Sequence, residues 1–243
     1  MRPRSTHLAA LVIACAGCAI PVDGASPESL VVGGAMVDLA ADGVLVRGPA
    51  SEPLAQTDER PTYAMEARFG GRVVPSPGRV LAGALVPGGV VWVRLDGTLL
   101  RDDGLVIDHD VVPELAVDVV RGRLAYPRHA RVSGGVFVLE LASGVRHRVS
   151  GELAVADRPL FTSDGRLVVV GARASGIAGV WIVDPNGVAL PIAVTNGELR
   201  AGRPLGSGFV PPPAYHASMR IEGGALVYDD GHRQRSVSLP EAP

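Results

Sequence analysis

The chain has 243 residues, among them 31 Gly, 20 Pro and 36 Val but only 10 aromatic residues, and all of its 23 basic residues are Arg. An apolar fraction of 47% is too high for a disordered chain, and the Gly residues lack the three-residue period of collagen. A net charge of −2 gives no basic excess that would call for nucleic acid or an anionic membrane as partner.

Met1 to His7 carries Arg2 and Arg4 without an acid, and Leu8 to Ala16 is an unbroken run of small or apolar residues. A charged start ahead of a short apolar run is the pattern of a secretory signal, and about nine residues are too few to cross a bilayer of about 30 Å. Ala16-Gly17-Cys18 closes the run and resembles the bacterial lipoprotein box, in which small residues precede a cysteine that is lipidated and becomes the mature N-terminus. Cys15 stands where that box usually has Leu, and Val12-Ile13-Ala14-Cys15 is an overlapping match that makes Cys15 the alternative. The resemblance implies a signal peptide over 1–17, a palmitate-bearing Cys18 and a tether over 18–28. It also implies membrane anchoring in the bacterial cell envelope, at the outer membrane facing periplasm or surface. A redox reading of Cys15 and Cys18 would need a helix start in a βαβ setting, which an apolar leader does not offer. No cysteine follows Cys18, so a single domain over 29–243 must be held by its core without disulfides.

From Ser29 onward, short Val-rich runs alternate with Gly, Pro and Asp-Gly turns and show no helical period, which predicts strands. The first unit, Gly34-Ala35-Met36-Val37-Asp38-Leu39 with a turn at Asp42-Gly43, is followed by a polar, Pro-containing insertion from Gly48-Pro49 to Arg60-Pro61. The pattern returns as Gly89-Val90-Val91-Trp92-Val93 with Asp96-Gly97 and as Gly135-Val136-Phe137-Val138 with Ser143-Gly144. It returns again as Gly179-Val180-Trp181-Ile182 with Asn186-Gly187 and as Gly224-Ala225-Leu226-Val227 with Asp230-Gly231. Upstream, Arg123-Leu124-Ala125-Tyr126 matches Arg166-Leu167-Val168-Val169. The leading Gly positions 34, 89, 135, 179 and 224 are separated by 55, 46, 44 and 45 residues.

A period near 44 residues without helices suits the blade of a small β-propeller of about five blades, because one sheet buries both faces only by packing between neighbours. A β-sandwich is the alternative architecture. Arg158-Pro159-Leu160-Phe161-Thr162-Ser163-Asp164-Gly165-Arg166-Leu167, running on to Val180-Trp181-Ile182-Val183-Asp184, resembles the repeat of TolB-like, WD40-related propellers. In that repeat a Ser-Pro-Asp-Gly-Arg turn joins the first two strands of a blade, and Thr162-Ser163 replaces its Ser-Pro here.

Arg101-Asp102-Asp103-Gly104 and Asp108-His109-Asp110 place four carboxylates and an imidazole within nine residues, a set that can hold a hard cation or set two acids about a substrate. The spacing is not that of an EF-hand, and turns accumulate Asp and Gly anyway, so a solvated turn is the plainer reading. His129, His147 and His232 are flanked by Arg, as suits an exposed strand, and His216 follows the rigid Pro211-Pro212-Pro213. No Ser lies in a nucleophile elbow. Trp92 and Trp181 occupy one position of the repeat, with Phe137 and Leu226 at its other copies, which assigns these residues to packing between sheets rather than to sugar stacking. The sequence thus leads to a non-enzymatic envelope lipoprotein, a scaffold for protein binding without cofactor, engaging an envelope protein through 51–60 or 203–215. The alternative is a propeller glycan-binding protein or hydrolase using Asp102, Asp108 and Asp110.

Overall fold

The computed structural model describes residues 29–32, 35–40, 43–48, 62–129, 134–173, 178–184, 186–193, 204–205, 208–209, 219–229 and 234–241. Cys15, Cys18, the insertion 51–60, His216, His232 and most of 203–215 lie outside them. The described residues form antiparallel sheets without a helix, and none of the sheets closes on itself.

The first sheet has eight strands in chain order: β1 (Ser29–Val32), β2 (Ala35–Ala40), β3 (Gly43–Arg47), β4 (Tyr63–Phe69), β5 (Arg72–Val86), β6 (Gly89–Arg94), β7 (Leu99–Arg101) and β8 (Val106–Asp108). The second comprises β9 (Ala116–Asp118), β10 (Arg123–Arg128), β11 (Gly135–Glu140) and β12 (Arg146–Arg148). The third comprises β13 (Leu153–Phe161), β14 (Leu167–Arg173), β15 (Ala178–Val183) and β16 (Ala189–Ala193). A two-stranded ladder of β17 (Pro204–Leu205) and β18 (Gly208–Phe209) precedes a last sheet of β19 (Arg220–Glu222), β20 (Ala225–Asp229) and β21 (Gln234–Ser238).

Alternation along β6, β10 and β15 explains their near-continuous apolar composition, because both faces of these strands are covered. On β6, Val91 and Val93 pack with Leu124 and Tyr126 of the second sheet, whereas Val90 and Trp92 pack with Leu45 and Met65 of β3 and β4. On β15, Trp181 and Val183 meet Ala125 and Val138 of the second sheet, and Val180 and Ile182 meet Leu226 and Tyr228 of the last. Trp92, Phe137, Trp181 and Leu226 therefore each face the strands that precede them in the chain. Trp92, Trp181 and Leu226 are at most 1% exposed, so the shared repeat position is a packing position.

The units opening at Gly34 and Gly89 share one continuous sheet because β5 has 15 residues, enough to pair on both sides. Its first part pairs with β4 (Phe69↔Arg72 to Tyr63↔Val80) and its last part with β6 (Val80↔Arg94 to Val86↔Gly89). The turns behave as their composition predicts. Gly97, Gly104, Gly165 and Gly187, with φ from +77° to +87°, close four hairpins of one type. In the first, the Gly97 N–H donates to the Arg94 carbonyl (3.0 Å) and the Arg94 N–H to the Thr98 carbonyl (2.9 Å). The preceding carboxylate takes the amide two residues on, as in Asp96 to Thr98 (3.0 Å) and Asp164 to Arg166 (3.2 Å). The Thr162-Ser163-Asp164-Gly165-Arg166 hairpin joins β13 to β14, the first two strands of their sheet.

β8 was hidden in the sequence. It is an additional strand at the end of the first sheet, and it reverses the chain before the second begins. The Val111 N–H donates to the Gly97 carbonyl and the Val112 N–H to the Pro127 carbonyl (2.9 Å each), so the β6–β7 turn lies beside the end of β10. The β7–β8 turn lies instead on the side of the β11–β12 turn, where the Leu141 N–H donates to the Gly122 carbonyl (2.9 Å) and Arg146 reaches the Ile107 carbonyl (2.7 Å). β6 and β11 thus run in opposite directions, whereas the second and third sheets keep a common direction.

Candidate functional site

The acidic constellation is built on the β7–β8 turn and on β8, and the structure separates its members. Asp103 lies in the turn, pairs with Arg101 (2.7 Å) and accepts the Leu105 amide (3.0 Å), as a solvated turn requires. His109 is exposed, with Nδ1 3.5 Å from the Thr98 hydroxyl. Asp110 has φ +58°, a left-handed conformation that Asp tolerates in turns. Among the described residues, no group of three or more His, Cys, Asp or Glu side chains is arranged to hold a metal ion.

Asp108 departs from both sequence-based readings. It is 4% exposed and faces the second sheet, where its carboxylate accepts from the Tyr126 hydroxyl (2.9 Å) and pairs with Arg146 (3.0 Å), with Arg128 at 3.8 Å. Burial between the sheets, the Asp108 charge and the hydrogen bond to it all push the Tyr126 hydroxyl pKa upward, so it stays protonated and donating. A buried carboxylate needs such partners, since desolvation disfavours an unpaired charge. The repeat did carry a signal for this contact. Tyr126 stands where the next copy has Val169, and a hydroxyl in a buried strand position needs an acceptor.

Asp102 borders a cleft of about 440 Å³ between the first and second sheets. Val86, Val90, Leu105 and Ile107 form one wall, and Leu139 and Leu141 the other. Arg101, Asp102 and Arg146 supply its charged groups. Arg72 stands 3.5 Å from the Asp102 carboxylate, and a Cβ on Gly89 would come within 3.0 Å of Oδ1, so a glycine permits this approach. Asp102, Asp108 and Asp110 are not gathered about this cavity: Asp102 lines it, Asp108 lies behind Arg146, and Asp110 is not part of its wall.

A second charged network joins the second and third sheets. Asp118 is 7% exposed and pairs with Arg123 (2.6 Å) and Arg121 (3.3 Å). The same guanidiniums donate to the Gly165 carbonyl (2.7 Å) and the Ser163 carbonyl (3.3 Å) of the β13–β14 turn. Burial raises the Asp118 pKa, but hydrogen bonds from Arg123 and from the Arg121 amide outweigh it and the net shift is downward. The Arg166 hydrogen bond, against a smaller effect of burial and with the Thr162 hydroxyl assisting, lowers Asp164 to about 2. Both folded pKa values lie below that of an unfolded Asp, about 3.9, so their stabilisation is fully present above that value. It is lost as pH falls through the folded values. The thermal midpoint should be flat near neutrality and fall between pH about 4 and about 2, with a shallower fall in Asp164→Asn, as followed by circular dichroism.

His129 and His147 are exposed, as their Arg neighbours suggested, and β12 is exposed along its length. No protein-family model and no curated protein matches the chain.

Proposed function

We propose that this chain is an exported lipoprotein of the cell envelope, tethered through Cys18, whose sheets form a small TolB-like propeller acting as a non-enzymatic scaffold for another envelope protein. The observation that carries this reading is the use of Asp108. Asp108, one of the three acids the sequence offers for chemistry, is committed to Tyr126 and Arg146 and joins two sheets. Asp118 serves the next junction in the same way. The succession of sheets in chain order, each turning its repeat-position side chain toward the strands before it, supports blades, with β8 as a departure from a four-stranded unit. Segments 51–60 and 203–215 remain the contact segments of this reading.

Radiolabelled palmitate should mark wild-type protein and Cys15→Ala but not Cys18→Ala. Label retained in Cys18→Ala and lost in Cys15→Ala would move the anchor to Cys15, and no label in any form would remove it. A defined envelope protein that co-purifies with the wild type and is lost on deletion of 51–60 supports the scaffold. Glycan turnover by the purified protein, abolished in Asp102→Asn, would overturn it.

A further inference from the structure

Three charged side chains line the cleft between the first and second sheets, and they differ in what already holds them. Arg101 pairs with Asp103 at 2.7 Å. Arg146 pairs with Asp108 at 3.0 Å and donates to the Ile107 carbonyl at 2.7 Å. Asp102 has no such contact. Its carboxylate accepts no hydrogen bond from any described residue, and its one ion pair is with Arg72 at 3.5 Å, a side chain 62% exposed. Yet the Asp102 side chain is itself only 11% exposed, and its amide is tied to the Val90 carbonyl (3.0 Å), which fixes its place in the wall. A carboxylate offers about four acceptor sites, and one so far withdrawn from bulk water is best matched by a donor that carries charge.

Around this carboxylate the walls are aliphatic, and Gly89 keeps the approach open, since a Cβ there would stand 3.0 Å from Oδ1 and 3.8 Å from Oδ2. The volume of about 440 Å³ lies within the range of small-molecule sites, about 300–1,000 Å³. An anionic ligand would have to compete with Asp103 or Asp108 for a guanidinium. A wholly apolar ligand would desolvate Asp102 without replacing what water gives it. A cation with an apolar body meets neither penalty.

We propose that the cleft binds a small amphipathic amine, whose ammonium group donates to the Asp102 carboxylate while its aliphatic or aromatic body lies between Leu105 and Ile107 on one wall and Leu139 and Leu141 on the other. No bond is made or broken. This is a binding function separate from the lipid tether and from protein contact through 51–60 or 203–215, and it stands or falls without them.

The test uses the full chain and three probes that share one body, phenethylamine, phenethyl alcohol and hydrocinnamate, titrated by ligand-observed NMR at about pH 7 in about 0.15 M salt. Phenethylamine should bind about tenfold more tightly than phenethyl alcohol, and hydrocinnamate more weakly than either. Asp102→Asn, which keeps the shape of the side chain, should bring the amine down to the level of the alcohol, a loss of about tenfold. Gly89→Ala should weaken the amine by crowding Oδ1 while the charge is still present. Leu105→Ala, in the exposed part of the wall, should weaken all three probes alike. Glu222→Gln, which removes an exposed acid from the last sheet, should change none of them. Equal binding of amine and alcohol to the wild type would overturn the proposal by showing that Asp102 is satisfied without a ligand. An amine affinity unchanged in folded Asp102→Asn would overturn it by placing the probe elsewhere, and so would the absence of binding by any probe. Circular dichroism checks each variant first. Should Asp102→Asn fail to fold, the wild-type preference for the amine and its loss in Gly89→Ala decide. Palmitate labelling tests the tether separately, so either can fail alone.

Discussion

Asp108→Ala is expected to destabilise the protein by about 3 kcal/mol, far more than loss of an exposed turn carboxylate. The change leaves the Tyr126 hydroxyl without its acceptor in a fully buried position and leaves Arg128, whose side chain is 16% exposed, beside an uncompensated site. Arg146 is 45% exposed and turns to water at lower cost, which keeps the loss below that of a fully enclosed pair. Tyr126→Phe, removing one partner and keeping the ring, should cost about 1.5 kcal/mol or more because its hydrogen bond is to a charge. Urea unfolding of both variants checks this order. A loss below about 0.5 kcal/mol for Asp108→Ala would return this residue to the surface class.

The second large effect is at Trp92, where replacement by Ala should cost about 3–5 kcal/mol. The ring is 1% exposed and lies over Gly83, so close that a Cβ added to Gly83 would stand 2.6 Å from two ring carbons. Gly83 belongs to β5 and pairs with Trp92 across the β5–β6 ladder. The absent side chain is thus filled by the indole. Gly83→Leu should destabilise the wild type by overpacking, by about 1–3 kcal/mol, yet restore part of the stability of Trp92→Ala by filling the vacated volume. Additive losses in this double variant would show that the two positions do not share one space.

The strands, their turns and the packing role of the Trp position were legible because they rest on local rules. Alternation sends Val91 and Trp92 to opposite faces, and the Asp-Gly pairs close the hairpins that their chemistry dictates. What escaped rests on non-local pairing. β5 runs through Pro75 and Pro77, because the ladder to β4 is irregular there and the Ser76 hydroxyl takes the Met65 amide (3.1 Å). β8 has three residues, too few for a periodic signal. At the candidate site, the solvated-turn reading fits Asp103, whereas Asp108, at the end of β8, is 4% exposed and turned into the junction of two sheets. The Arg146 and Tyr126 partners lie 38 and 18 residues away from Asp108, beyond any motif window.

β8 also acts as a parity switch in the chain. Two repeats that align residue for residue, those of Gly89 and Gly135, present their matching hairpins at opposite ends of the sheets they belong to. A binding loop transferred from the β11–β12 turn to the β6–β7 turn by alignment alone would emerge on the far side, and the neighbouring β7–β8 turn is the one that would keep it on the same side. Insertion or loss of a single short strand in such a protein can therefore exchange which loops share a surface while leaving the apolar core pattern intact.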